Sequence, residues 1–341
     1  MTALLRTALI GYGLAGRVIH RPLLDAEPRM TVTHVVTADA ERRRQAAADL
    51  PAATLVDDVE ALWRAADDFD AVVVASPNLS HVPVARAALE LGKATVVDKP
   101  LAVTAAEADV LCRLARELAV PLSVFHNRRW DSDTIAAREL LAAGTLGSVV
   151  RLESRFIRFR PEVVDRWRED AAAGGGVLLD LGSHVVDQAL FLLGPATHVY
   201  AEVDVRRPGG RADDDCFLAL THASGVRSHL WCSMAAPAPG PRLLLQGSRA
   251  GWAKQHLDGQ EDAQRAGQPA AVEAPGRLYD EDGEREVPSP AGDWGAYYRA
   301  FAAAVLDGSP LPVEPEDAVA VLRVLDAARR SSAERQVMPL S

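Results

Sequence analysis

The chain has 341 residues, of which 48% are apolar and 25% charged, and it carries a formal net charge of −10. This is the composition of an ordinary globular protein long enough for two cores. The negative balance argues against sequence-independent binding to nucleic acid or to an anionic membrane, since both need a basic surface.

Met1–Ile10 runs straight into a strand pattern and shows no signal-peptide cleavage region. Thr7–Ile10 is a short apolar run that fits a buried parallel strand. Gly11-Tyr12-Gly13-Leu14-Ala15-Gly16 follows at once, a GxGxxG between a strand and a helical segment. In that setting Gly11 permits the tight turn, Gly13 lets the backbone approach a pyrophosphate, and Gly16 lets helix and strand pack closely. The free N–H groups of the helix start then face the phosphates. The bland alternative is a plain glycine-rich turn.

Val32–Val36 reads as the second strand and ends in Thr37-Ala38-Asp39. An acidic residue near this point holds the adenine ribose in NAD-binding domains. Ala38 lacks the carboxylate, which leaves Asp39. Arg42, Arg43 and Arg44 have two readings, a seat for a 2′-phosphate or the solvated face of a helix. Asp70–Ala75 is a further buried strand ending in Ser76-Pro77-Asn78, with His81 either on the same rim or on a helix surface. A helical segment, 83–91, leads through Gly92 to the strand 94–97, which ends in Asp98-Lys99-Pro100. Strand–helix alternation predicts a doubly wound parallel sheet, whose ligand lies at the carboxyl ends of the strands. The residue before a proline sits on extended, stiffened backbone, so the Lys99 amine is well aimed.

Leu122–Phe125 reads as the last strand of this sheet, followed by the polar cluster 126–130, which includes Asn127. Residues 134–143 read as helix. From Val149 the apolar period becomes two, and strands are predicted over 149–159 and near 199–205, 217–221, 226–232 and 242–246. These form a mostly antiparallel sheet. The stretch 259–290 reads as polar Pro/Gly-rich loop, and 294–306 and 315–328 as helix. No run approaches the roughly 18 apolar residues of a membrane span. Cys112, Cys216 and Cys232 are odd in number and widely spaced. They suggest neither a disulfide framework nor a metal site, and no metal is expected; buried thiols in a reducing cytoplasm is the reading.

The chemistry concentrates at Gly174-Gly175-Gly176 and the helical pattern after it. Asp180 and His184 are four apart, so on a helix they share a face. Leu181, Val185 and Ala189 form a neighbouring stripe that anchors the helix in a core. A carboxylate and an imidazole held side by side suit proton transfer. The alternative is a helix cap and a satisfied core histidine.

Three motifs in order, GxGxxG, Asp-Lys-Pro at 98–100 and G-G-x-x-x-D-x-G-x-H-x-x-D over 175–187, resemble the glucose–fructose oxidoreductase/inositol dehydrogenase (Gfo/Idh/MocA) family. The resemblance runs through nearly the whole chain. It implies an α/β protein with an N-terminal Rossmann dinucleotide-binding domain, 1–122. A C-terminal α+β domain with a large, mostly antiparallel open sheet, 123–341, would bind substrate and oligomerise. The family's catalytic Lys, Asp and His map onto Lys99, Asp180 and His184. The stretches 125–133, 158–163, 166–169 and 259–263 are similar to the scyllo-inositol dehydrogenase branch. Two departures matter: Asp98 stands where Glu is commoner, and Ala38 where Ser, Arg or Asp is often found.

The implied activity is NAD(P)-dependent hydride transfer to or from a cyclic polyol or sugar, with a lean towards NADP. Gly11 to Gly16, Thr37 to Asp39, Arg42, Ser76 to Asn78, His81 and Asp98 to Pro100 are the expected cofactor residues. Lys99, Asn127, Arg160, Trp167, Asp180 and His184 are the expected substrate residues. Other sugars, an aldose or a keto-sugar, remain open as substrates. A cofactor-sensing regulator is the alternative from another class; it has no need of all three catalytic residues. No nucleic-acid or membrane partner is expected. Apolar residues on the second sheet's free face predict a homodimer or homotetramer built through that sheet.

Overall fold

The computed structural model describes residues 4–269 and 272–340. The chain falls into two compact units. In the first, β1 (Leu5–Ile10), β2 (Met30–Val36), β3 (Thr54–Val56), β4 (Ala71–Val74), β5 (Ala94–Asp98) and β6 (Leu122–Phe125) form one parallel sheet in the order β3-β2-β1-β4-β5-β6. This is the doubly wound order of a Rossmann domain, whose switch point lies between β1 and β4. β4 is buried at all four positions, as a strand covered on both faces requires. Between the strands run α1 (Arg21–Asp25), α2 (Ala40–Asp49), α3 (Val59–Trp63), α4 (His81–Glu90) and α5 (Ala105–Leu118). Their starts are set locally: Asp39, Asp58 and Thr104 cap α2, α3 and α5 by accepting from a backbone N–H three residues on.

The second unit holds α6 (Ser132–Ala142), β7 (Val149–Ile157), α7 (Ser183–Leu193), β8 (Ala196–Asp204), β9 (Asp215–His222), β10 (Arg227–Ser233), β11 (Leu243–Gly247) and β12 (Gly251–Lys254). After α8 (Gln260–Ala266) come β13 (Gly276–Asp280) and β14 (Gly283–Val287), then α9 (Gly295–Asp307), α10 (Pro315–Glu334) and β15 (Met338–Pro339). The nine-stranded sheet has the order β14-β13-β12-β11-β7-β10-β9-β8-β15, and all its pairs are antiparallel except β7 with β10. Strict alternation in β9 turns Cys216, Leu218, Leu220 and His222 to the core. α7 packs on β7 and β10 through that same face. Among the described residues, no helix is long and apolar enough to cross a membrane.

Three expectations change. The loop expected over 259–290 contains α8 and the hairpin β13–β14, in which Gly276 and Leu278 are buried while most of the partner strand is exposed, so the apolar signal is thin. The units do not coincide with a cut at residue 122. The first runs to Asn127 and takes back Glu261–Ala270 and Trp294–Val319. The cause is α9: the Tyr297 hydroxyl donates to Ser123 Oγ at 2.9 Å, Ser123 Oγ donates to the Val313 carbonyl at 2.8 Å, and the rings of Phe125 and Tyr297 meet edge to face at 4.9 Å. Finally, the cysteines are all buried as expected, but Cys216 and Cys232 lie directly opposite one another on β9 and β10. Spacing along the chain hides this pairing.

Candidate functional site

At the first unit's switch point, the GxGxxG loop is fixed by contacts that leave no room for side chains. Gly11 has φ +96°, and a Cβ there would lie 2.6 Å from the Ala75 carbonyl oxygen. A Cβ on Gly16 would lie 2.0 Å from the Gly11 oxygen. These are the tight turn and the close helix–strand approach. Gly13 differs: nothing crowds it except the Arg42 guanidinium, 3.8 Å from where a Cβ would stand. The backbone there is open to a ligand, and the cradle fits a dinucleotide pyrophosphate. Leu14 is exposed and Ala15 half-buried beside it. Tyr12 is buried and donates to Asp49 at 3.0 Å, which also accepts from Arg17 at 2.7 Å. The Tyr12 ring thus braces α2, and only its backbone belongs to the cradle.

At the end of β2, Thr37 is buried while Ala38 and Asp39 are exposed. Asp39 Oδ1 accepts the Arg42 N–H at 2.8 Å and so caps α2. The three arginines divide. Arg43 is held by Asp57 at 2.6 Å and by the Thr37 carbonyl, and Arg44 pairs with Glu41. Arg42 has no ion-pair partner among the described residues, and it is the one beside Gly13.

The strand-end loops of β4 and β5 carry the other expected cofactor residues. Ser76 Oγ lies 2.6 Å from Ser80 Oγ, Pro77 is exposed and Asn78 buried. His81 is a correction: its ring lies between the Ser76 and Pro100 carbonyls, 2.8 Å from each, so its N–H is given to one of these loops instead of facing a ligand. Burial holds it below the ordinary histidine value, against the pull of the Pro100 carbonyl. Asp98 Oδ1 accepts the Lys99 backbone N–H at 2.9 Å and stands 3.8 Å from His20 Nε2. The other nitrogen of His20 lies 2.7 Å from the Tyr298 hydroxyl. Burial works to raise the Asp98 carboxyl, but His20, Lys99 and His81 together hold it below the usual aspartate range. Lys99 is half-buried and Pro100 buried. Asn127 is buried just after β6.

In the second unit the three glycines are explained by their own neighbours. A Cβ on Gly175 would lie 2.5 Å from the Arg168 carbonyl, and one on Gly176, at φ +116°, would lie 2.2 Å from Asp213 Oδ1. Asp213 Oδ2 accepts the Leu178 N–H at 2.6 Å. Its carboxylate thereby caps the widened helical turn 178–182, which leads into α7. Burial pushes the Asp213 carboxyl above the ordinary value, against the Leu178 N–H. Asp180 is half-buried on that turn, and His184 is buried in the first turn of α7. Leu181, Val185 and Ala189 are all buried, as their stripe predicts. The His184 ring is stacked on Phe156, centroids 6.1 Å apart at 26°. Around that same Phe156 ring stand the guanidinium groups of Arg128, Arg158 and Arg242, at 4.8, 5.0 and 5.5 Å. Arg128 pairs with Asp131 and Arg242 with Asp133.

A narrow cleft beside Asp180, about 10 Å³, is lined by Arg166, Arg168 and Asp213 among others. Trp167 lies under the Arg168 guanidinium at 4.3 Å. Arg160 is exposed, and its carbonyl accepts from Arg207. The expected cofactor residues thus gather at the strand ends of the first sheet, and Asp180 with His184 on one helix start. Sequence reading missed His20, Phe156 and Asp213, for their roles rest on contacts between residues far apart in the chain.

A nucleotide cradle on a Rossmann sheet, with a carboxylate and an imidazole at the head of a helix on a second, open-sheet unit, defines a two-domain NAD(P)-binding oxidoreductase. Residues 5–126 match the model for the oxidoreductase family with NAD-binding Rossmann fold, and residues 134–253 match the GFO/IDH/MocA C-terminal domain. The chain belongs to the Gfo/Idh/MocA family. It is 34% identical to scyllo-inositol 2-dehydrogenase (NADP(+)) IolW of Bacillus subtilis, over 98% of this chain and 96% of that protein. It is 36% identical to the uncharacterized oxidoreductase YdgJ of Escherichia coli, over 99% of each. The solved structure of yvaA from Bacillus subtilis covers 100% of this chain and 99% of its own, with a TM-score of 0.93 at 33% identity.

Proposed function

We propose that this protein is a dehydrogenase that interconverts a hydroxyl and a ketone on an inositol-like cyclic polyol. The observation that carries the reading is His184, packed on Phe156 one turn beyond the half-buried Asp180 at a rigid, capped helix start. The bound nicotinamide supplies or accepts the hydride. His184 takes the hydroxyl proton as general base, or returns it to the ketone in the reverse direction. Lys99 stabilises the substrate oxygen as negative charge builds. Asp180 accepts from a neighbouring hydroxyl. Asn127, Arg160 and Trp167 are the further substrate contacts of this reading. The likeness to IolW supports the polyol, and the motifs alone would equally serve an aldose or keto-sugar.

NADP is the favoured cofactor. Ala38 offers no carboxylate to the ribose, Asp39 is engaged as a cap, and Arg42 stands beside Gly13. IolW is itself named for NADP(+). Three buried free cysteines accord with a reducing, cytoplasmic setting. The half-exposed Phe217 and Trp231 on the open sheet support a homodimer or a pair of dimers. The regulator reading has no use for Lys99, Asp180 and His184 together.

The test is the initial rate with NAD and NADP across inositols, aldoses and their ketones, followed by His184→Ala. Loss of a general base lowers turnover by about 10²–10⁴-fold, while NADPH binding followed by fluorescence stays intact. Near-normal turnover in that variant makes His184 a core residue only. No turnover by the wild type on any of these substrates removes the dehydrogenase reading.

A further inference from the structure

We propose that the second unit carries an oxyanion subsite, a groove that takes the phosphate group of a small molecule. The groove, about 150 Å³, opens between the end of β7, the turn at Pro239-Gly240 and the segment 255–257. Its side chains include Arg155, Arg158, Arg242, Gln255 and His256, and among the described residues no carboxylate lines it. In a chain of net charge −10 such a lining is not a sample of the average surface.

Two of the three guanidinium groups are built in. Arg242 is buried and donates to Ser154 Oγ at 2.5 Å and to Gln188 Oε1, with Asp133 at 3.2 Å. Arg155 is held by Glu153 at 2.8 Å and lies over Trp231 at 4.3 Å. Asp133 and Glu153 each offset one of these charges, but neither lines the groove. Arg158 stands over the Phe156 ring at 5.0 Å, and His256 and Gln255 are exposed. Arg158 and Arg242 thus offer guanidinium N–H donors, with the Gln255 amide beside them, over the Phe156 ring, while the Arg155 guanidinium turns to Trp231 on the other face of β7. A planar guanidinium matches a phosphate with two parallel hydrogen bonds. Phe156 is both the floor here and the ring stacked on His184, so the subsite adjoins the proposed base. This deepens the reading above and rests on it only for placing the phosphate on the substrate.

The test is calorimetric titration of the whole protein with inorganic phosphate, with myo-inositol 1-phosphate and with myo-inositol, at low and at physiological salt. The ester should bind at least tenfold more tightly than the neutral polyol, and salt should weaken it. Arg158→Met should weaken phosphate binding tenfold or more. His256→Glu sets a carboxylate at an exposed position, where folding is undisturbed, and should abolish it. Thermal melting and NADPH titration check the fold of both variants. Inorganic phosphate binding as tightly as the ester marks a free-anion site. An ester tighter than phosphate marks a substituent of the substrate. Both uphold the subsite. If the ester binds no better than the polyol, or if both variants bind phosphate as the wild type does, the subsite is wrong. Binding is read without turnover, so loss of the dehydrogenase reading leaves this result standing.

Discussion

His81 faces one backbone carbonyl with each ring nitrogen and has almost no contact with solvent. Kept neutral by burial, such a ring donates its one N–H to one of the two carbonyls, at the edge where the cofactor residues gather. Its value is held below the ordinary one by burial. An unfolded histidine protonates near pH 6.5, whereas the folded one resists. Its contribution is therefore present above that pH and lost as pH falls through it. His81→Gln should destabilise the protein by about 1–3 kcal/mol at neutral pH, the cost of a broken buried hydrogen bond. The gap in melting temperature between wild type and variant should shrink from pH 7.5 to 5.5. A gap that widens on acidification would mean that the folded ring is charged. The sequence shows His81 but cannot say which way its ring turns, for the answer lies in the Pro100 carbonyl, 19 residues away. Gly11, Gly13 and Gly16 are legible because their roles are local. His20 and Asp213 are not, since nothing near them in the chain points to Asp98 or to Leu178.

Among the elements, the turn 178–182 depends most on its surroundings. Gly176 combines a positive φ with a site already filled by the Asp213 carboxylate. Gly225 has φ +85° but open space around it. Gly225→Ala should therefore show backbone strain alone, about 1 kcal/mol. Gly176→Ala should lose clearly more, about 3 kcal/mol or above, and should also slow turnover by displacing Asp180. Urea midpoints for the two variants make the comparison, and equal losses would refute the crowding argument. The Asp180–His184 helix is legible because its buried stripe has the helical period. The hairpin β13–β14 is not, since most of its side chains face water. Asp282-Gly283, with φ +111° at Gly283, is the turn signal that sequence reading passed over.

For the whole molecule, the free face of the large sheet differs from the apolar face the sequence suggests. Phe217 and Trp231 sit 5.2 Å apart, His229 lies beside them, and Arg155 covers Trp231 while pairing with Glu153. Leu244 adds an aliphatic group, and all six are half-exposed. Aromatic and arginine side chains are what interfaces favour. Phe217→Asp with Trp231→Glu should convert the proposed oligomer to a 36.5 kDa particle in light scattering. If wild type already scatters as that particle at micromolar concentration, the assembly does not exist. The strand alternation makes this face legible in outline, but its composition depends on register, which sequence leaves open. The return of α9 to the first unit bears on how the protein is made. About 190 residues separate Asn127 from Val319, the last residue of that unit. At roughly 5–20 residues per second, a ribosome needs about 10–40 s to cover that distance. For most of that interval His20, Ser123 and Phe125 await Tyr297 and Tyr298, so the nascent Rossmann sheet shows an uncovered aromatic flank to whatever chaperones attend it.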